Sequence, residues 1–560
     1  MKLARLNTAV DGDLSKVAFW RGLRPTDTGH DQTGGEVEGK TWVAGKFRPG
    51  FVAKSHQTDA LRAIDTLKPG GGLVLAHGTG TGKTPTAVME VEHLRDQQKG
   101  RVRALVLTPA GLRTNFDVGG VQKFTTASSQ IVTTPQQVNP KSDYVVVSYE
   151  AFRRHPQEFV SAVKPDIMIA DEFHRASNPR SQTNQAIQSV RGEIPKFVGM
   201  TASIAQNDPS DVAPLLSLAR GEPISQLGFK RKHVTRQDAG VRGIFGGRVT
   251  KPVLKDEDVL SNFVGQSIHY VEDLDASEKP VKDASTVEVP MSSQQLEAYK
   301  MTLSGLDPKL RDKMMFGGFL TGKERKNLLT RIMLARKASN SLHTVTNMSV
   351  EDSAEKTPKV KQLLTDVQEH LKATPDGQVI VYTNFVKGGV DVVSAGLKKA
   401  GIPFGVFAGR GVPGMTEQAR QQAVTDYQQT KNRVIVITGA GAEGLSLGDT
   451  TMVAMLDGSY NPERNFQAEA RGIRAGGLSH RPQDQRRVEV KRYVSTVPRG
   501  FWQAITFRPK QSSVDQFVYG TAERKNEANR TLRDVLRGQS DSEAKRRDGG
   551  PVYRFFHGGY

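Results

Sequence analysis

The 560-residue sequence contains no cysteine, which excludes disulfides and thiolate metal sites. It has no apolar run near the ~20 residues that a membrane span needs. Its opening, MKLARLNTAVDGDLSKVAFW, lacks the apolar stretch of a secretory signal. The 12 histidines are scattered, and the second half carries no acidic cluster of the kind a nuclease uses to hold metal. Acidic residues are in deficit, 59 against 78 Lys and Arg, leaving a net charge of +19. Such an excess points to a polyanionic partner, nucleic acid ahead of a membrane surface. With 37% hydrophobic and 24% charged residues, the composition is that of an intracellular, soluble protein, and the length suggests three or four domains at about 150 residues each.

What is present is alternation. From residue 51 to 220, short apolar runs (LVLAH, ALVLTP, YVVVSYE, IMIADE, FVGMTAS) are separated by helix-like segments, the pattern of a parallel sheet with covering helices. Residues 221–375 carry basic and amphipathic stretches such as KERKNLLTRIMLARKA and read as a mostly helical insertion. From 376 to 537 the alternation returns (QVIVYTNF, RVIVITGAG, MVAMLDGS). The fold expected is α/β, two parallel-sheet lobes with that insertion between them. Residues 1–50 read as an extension with little core, and 538–560 as a loose tail.

The sequence LVLAHGTGTGKT (73–84) takes a strand into a loop of alternating Gly and Thr. Gly78, Gly80 and Gly82, with Thr79 and Thr81 between them, let backbone N–H groups close on phosphate oxygens. Lys83 is placed to reach the β and γ phosphates of ATP, and the Thr84 hydroxyl to ligate Mg²⁺. The strict pattern has Gly six residues before the lysine, where this chain has His77. IMIADEFH (167–174) then ends a buried strand in two carboxylates. Asp171 suits the metal, and Glu172 suits the attacking water. A solvated acidic strand end is the plainer alternative, which the upstream phosphate loop weakens.

Asp-Glu-Phe-His resembles the Asp-Glu-x-His box of superfamily 2 helicases and translocases, with Phe173 in place of the usual Ala. The remaining motifs follow in family order: HQTDALRAI with Gln57, LVLTPAGLRTNF with Thr108 and Arg113, VVVSYEAF with Ser148, GMTASIAQN with Thr201, VIVYTNF with Asn384, VIVITGAGAEGLSL with Thr438 and Gly444, and NPERNFQAEARGIRAGG with Gln467, Arg471 and Arg474. The stretch Thr201–Ala202–Ser203–Ile204 departs from the usual Thr-Gly-Thr-Pro. SYEAF, DGSYNPERNFQAEARGIRAGG and VPMSSQQLEAYK resemble the Swi/Snf-like branch, and the later segments resemble members encoded by bacteriophages and large DNA viruses.

The resemblance implies two RecA-like lobes closing on ATP and Mg²⁺. Gln57 would read adenine, and Gly444 would join the nucleotide site. Gln467, Arg471 and Arg474, at i, i+4 and i+7, share one helix face and would present arginine fingers to the γ-phosphate. His174 and Thr201 would couple nucleotide state to lobe movement. Thr108, Arg113, Ser148, Asn384 and Thr438 would touch the nucleic-acid backbone. The partner implied is double-stranded DNA, with single strands as the alternative. The expected activity is ATP-dependent translocation along duplex, in host cytoplasm or a virion if phage-encoded. A strand-separating DNA or RNA helicase and a DNA-binding virion protein with a silent ATPase fold are the competing readings.

Overall fold

Apolar runs of four to six residues are too short for helices, and their backbone groups are satisfied when they lie side by side with helices covering both faces. The computed structural model describes residues 44–67, 70–205, 208–242, 248–255, 267–272, 279–304, 322–409, 411–439, 447–474, 476–498 and 513–547. All of them belong to one unit, Thr41–Tyr560.

The strands run in chain order: β1 (Gly72–His77), β2 (Ala104–Thr108), β3 (Ser129–Val132), β4 (Tyr144–Ser148), β5 (Ile167–Ala170), β6 (Lys196–Thr201), β7 (Val234–Arg242), β8 (Arg248–Leu254), β9 (Ile268–Val271), β10 (Val281–Pro290), β11 (Gln378–Thr383), β12 (Phe404–Phe407), β13 (Val434–Thr438), β14 (Thr450–Met455) and β15 (Arg487–Thr496). The first sheet is parallel throughout, in the order β3-β4-β2-β5-β6-β1-β9. The second is also parallel, in the order β10-β15-β14-β11-β13-β12. These are the two RecA-like lobes expected. Because β5, β6 and β1 are neighbours, their C-terminal ends open on one crevice, where ligands of such sheets bind.

The stretch 221–375 corrects the helical expectation. Its first part forms the antiparallel hairpin β7–β8, then β9 on the edge of the first sheet, then β10 on the edge of the second. Helices follow, among them Ser293–Ser304, Gly322–Asn340 and Pro358–Ala373. The strands were hidden for a physical reason. β9 has four residues, and β10 is a largely exposed edge strand, so neither carries the apolar run of a doubly covered strand.

Both ends of the chain also differ from expectation. Ala44 and Phe47 are buried, and the Phe47 ring packs on Phe51 and Phe124 at 5.0 and 6.0 Å. Residues 44–50 therefore belong to the first lobe. The last helix, Val514–Arg547, runs unbroken past residue 537. Near its start, Val514 and Val518 pack with Tyr299, Ile332 and Ala335 beside the second lobe. Farther along, Leu532, Val535 and Leu536 join the first-lobe core with Ile204, Ala205 and Leu254. Asn529 Nδ2 donates to Ala205 O at 2.7 Å. One helix thus spans both lobes.

Candidate functional site

The glycine loop leaves the end of β1 and delivers the chain into the helix Lys83–Gln98, whose N-terminus faces the loop. Gly80 and Gly82 have φ of 82° and 88°, conformations that side chains with a Cβ rarely adopt. The Lys83 ammonium folds back on the loop and donates to His77 O and Gly78 O, each at 2.9 Å. Burial lowers its pKa, Glu172 and Asp171 pull it up, and Arg474 and Arg471 push it down again. Thr81 is buried, its hydroxyl donating to Gly78 O at 2.8 Å. Thr79 lies in the turn after β1, and Thr84 is the second residue of the helix Lys83–Gln98.

His77, the departure from the loop pattern, points away from the cradle. Its Nε2 lies 2.8 Å from His269 Nδ1 on β9, and its ring stands 5.7 Å from that of His56. Gln57, expected at adenine, is turned to the loop exit in this structure. It is 3% exposed, its Nε2 donates to Gly82 O and Thr86 Oγ1 at 3.4 and 3.3 Å, and its Oε1 accepts from Lys54 N at 2.9 Å. The side chain ties the first helix to the loop exit.

The acid pair follows β5. Asp171 accepts from Glu172 N at 2.9 Å and from Thr108 Oγ1 at 3.4 Å, and its carbonyl accepts from Tyr149 OH at 2.6 Å. Burial and the Glu172 charge push its carboxyl up to about 7, as expected for two acids in a dry crevice with too little positive charge. Glu172 is held at φ 48°, a strained conformation of the kind that collects at functional sites. Its Oε2 has no hydrogen-bond partner, although His174 Nδ1 stands 3.3 Å away. His174 Nδ1 also lies 3.2 Å from Thr201 Oγ1, so His174 physically joins the acid pair to the end of β6. Phe173 fits because of Gly199. A Cβ on Gly199 would lie 2.2 Å from the Phe173 ring, which instead packs on Phe197 at 5.2 Å.

The second lobe brings Arg471 and Arg474 to this crevice, where both charges act on Lys83. Burial and Arg471 hold the Arg474 guanidinium down at about 10. The helical presentation is corrected. The helix Pro462–Glu469 ends before either arginine, and both lie in the turns that follow. Gln467 stays on the helix. Gly472 explains the break, because a Cβ there would lie 2.8 Å from Thr450 Cγ2, and the chain tightens against β14.

Most of the expected nucleic-acid contacts are not on the surface. Thr108, Ser148 and Thr438 are 0, 5 and 3% exposed. Thr108 serves Asp171, and Ser148 caps the helix Tyr149–Phe152 by accepting from Ala151 N at 3.1 Å. Asn384 Nδ2 donates to Asp457 Oδ1 at 2.7 Å. Thr108, Ser148 and Asn384 thus serve local polar groups at their strand ends, while the buried Thr438 hydroxyl has no hydrogen-bond partner among the described residues. Arg113 and Asn384 are partly exposed, and Arg113 Nε donates to Ala110 O at 3.2 Å. Gly444 lies outside the described residues.

Sequence comparison bears on this geometry. The model of the SNF2-related domain matches residues 56–344, more than half of the chain. The chain belongs to the SNF2-related family. The helicase conserved C-terminal domain matches residues 356–476, so this SNF2-related chain carries both lobes of a helicase-type, nucleic-acid-dependent ATPase. A protein of Acanthamoeba polyphaga mimivirus, whose name carries the words ATP-dependent RNA helicase, is 23% identical over 85% of this chain and 95% of its own. The Danio rerio chromodomain-helicase-DNA-binding protein 1-like is 24% identical over 78% of this chain, which spans 41% of that protein. The termination factor NPH-I homolog of African swine fever virus is 19% identical over 83% of this chain and 75% of its own. Among solved structures, the Sulfolobus solfataricus SWI2/SNF2 ATPase core in complex with dsDNA aligns over 88% of this chain and 99% of its own, with 15% identity and a TM-score of 0.36.

Sequence reasoning missed Tyr149, Glu463 and Lys279. Glu463, on the second lobe, bonds Ser203 of the first, and burial lifts its carboxyl to about 7 while Arg533 pulls it down. Tyr149 directly follows Ser148 in the SYEAF element, and that position was the signal available. No helix among the described residues is long and apolar enough to cross a membrane.

Proposed function

We propose that the chain hydrolyses ATP with Mg²⁺ and uses closure of its two lobes to move along double-stranded DNA without separating the strands. The observation that best supports this reading is the division of the site. The phosphate loop and acid pair lie on one lobe and two arginines on the other, and Lys83 already feels both guanidiniums.

In this reading Lys83 leaves His77 O and Gly78 O for the β and γ phosphates, while the loop N–H groups orient the chain of phosphates. Thr84 and Asp171 would hold the Mg²⁺. The fit is supported by an Asp171 carboxyl lifted to about 7 beside a second acid, a pair that a dication would relieve. When bound, the ion neutralises charge developing on the phosphate oxygens. Glu172, with one oxygen unpartnered, orients the attacking water. Arg471 and Arg474 stabilise the γ-phosphate once the cleft is closed. His174 passes the state of the acid pair to Thr201 and, through Ser203, to Glu463 of the opposite lobe. The +19 charge supports binding through phosphates, which positions a duplex without reading bases.

The test compares ATPase rate with no polymer, duplex DNA, single-stranded DNA and RNA, followed by displacement of a third strand from a triplex and separation of a forked duplex. Stimulation by duplex together with triplex displacement is expected. Single-strand or RNA stimulation with efficient fork opening would establish the helicase reading instead. No turnover under any condition would leave a silent fold.

A further inference from the structure

The described ends of the crossover between the lobes both meet the phosphate loop. At its first-lobe end, Gly78 N donates to Val271 O at 2.7 Å, and Glu272 O lies 1.9 Å from where a Cβ on Gly78 would stand. At its second-lobe end, Val281 N donates to Arg486 O at 2.7 Å as β10 begins. Pro280 Cγ lies 3.4 Å from the Cβ position of Gly477, three residues beyond Arg474. Between these anchors sits Lys279, whose Nζ donates to Thr79 O at 3.1 Å.

Two ammonium groups, Lys83 and Lys279, therefore contact three consecutive carbonyls of one loop, those of His77, Gly78 and Thr79. Burial lowers the pKa of Lys279, and the charges of Lys83 and Lys54 lower it further. A carbonyl is a weaker acceptor for an ammonium than a phosphate oxygen. Pro280, next to Lys279, meets the turn that follows Arg474, the arginine read as facing the γ-phosphate.

We propose that Lys279 is a second phosphate-binding lysine of the nucleotide site, exchanging Thr79 O for the terminal phosphate of ATP and so favouring ATP over ADP. The assignment rests on the reading of residues 78–84 as an ATP site. Because Lys279 belongs to the crossover, nucleotide binding then acts on the segment that joins the lobes.

The experiment uses the full chain and displacement of a fluorescent ADP analogue by ATP and by ADP. Lys279→Ala should weaken ATP about tenfold or more, the scale of one charge-assisted hydrogen bond, and ADP much less. Lys279→Arg should keep most of the preference. The thermal midpoint and duplex affinity should not move, which separates lost charge from lost folding. Should Lys279→Ala fail to fold, Lys279→Gln carries the same test. Unchanged ATP affinity in Lys279→Ala, with Lys83→Ala strongly impaired, overturns the role of Lys279. Equal losses for ATP and ADP overturn the terminal-phosphate assignment. Unchanged affinity in both lysine variants sinks the ATP-site reading itself.

Discussion

Glu90 lies on the helix that follows the phosphate loop, 1% exposed, and neither carboxylate oxygen has a hydrogen-bond partner among the described residues. Burial lifts its pKa from 4.5 to about 8, with Lys196 pulling down and Asp65 pushing up. The folded chain therefore holds this proton more tightly than the unfolded chain. The contribution of Glu90 to stability is fully present below pH ~4.5, shrinks as pH rises, and levels off above pH ~8. At 1.36 kcal/mol per unit, the loss is between about 1 and 2 kcal/mol at pH 5.5, about 3 at pH 7 and about 5 well above pH 8. Glu90→Gln has no charge to bury at any pH. Urea unfolding of variant and parent at pH 5.5, 7 and 8.5 should give a gap that changes in favour of the variant by roughly 3 kcal/mol across that range. The amide adds its own burial cost, but equally at each pH. Glu90→Met removes that cost and should be more stable still. A gap independent of pH would refute a neutral, buried Glu90.

Glu172→Gln should keep ATP affinity and lower kcat by about 10²–10⁴; turnover at the parent rate would remove Glu172 from the water-orienting role. Arg474→Ala should lose about 10³ in kcat and abolish triplex displacement while filter binding shows unchanged duplex affinity. Duplex affinity should fall linearly in log–log form with salt and vary little with sequence; a flat salt response would count against phosphate contacts. Leu536→Ala should destabilise by about 2–5 kcal/mol in chemical unfolding, and a cost near zero would mean that the last helix does not dock on the first lobe.

The two sheets were legible because strands covered on both faces are buried at every position and so run mostly apolar, as β1, β2, β4 and β5 do, with a polar residue only at the end of β1, β2 and β4. β9 and β10 were not, because edge strands are released from that demand. The loop and the acid pair were legible because their chemistry needs particular residues at fixed spacing. The finger turn was not: i, i+4, i+7 spacing suggests a helix, but Gly472 packs against Thr450, a contact invisible in one dimension. Thr108 and Ser148 show a similar limit. A short hydroxyl side chain at a strand end serves a neighbouring carboxylate or caps a helix as readily as it meets a ligand. Lys279 was hidden because a single lysine in a polar connection has no pattern, and only its return to Thr79 gives it meaning.

The bond from Asn529 to Ala205 joins residues 324 positions apart. During synthesis at about 5–20 residues per second, the partner of Ala205 emerges some 15 to 65 seconds after it. For most of that interval, once β9 has been made and the first sheet is complete, the patch around Ile204, Ala205 and Leu254 lacks the cover of Leu532, Val535 and Leu536. A chain truncated after the second sheet would display the same sticky face permanently. Completion of the first lobe's core is thus a late event in synthesis.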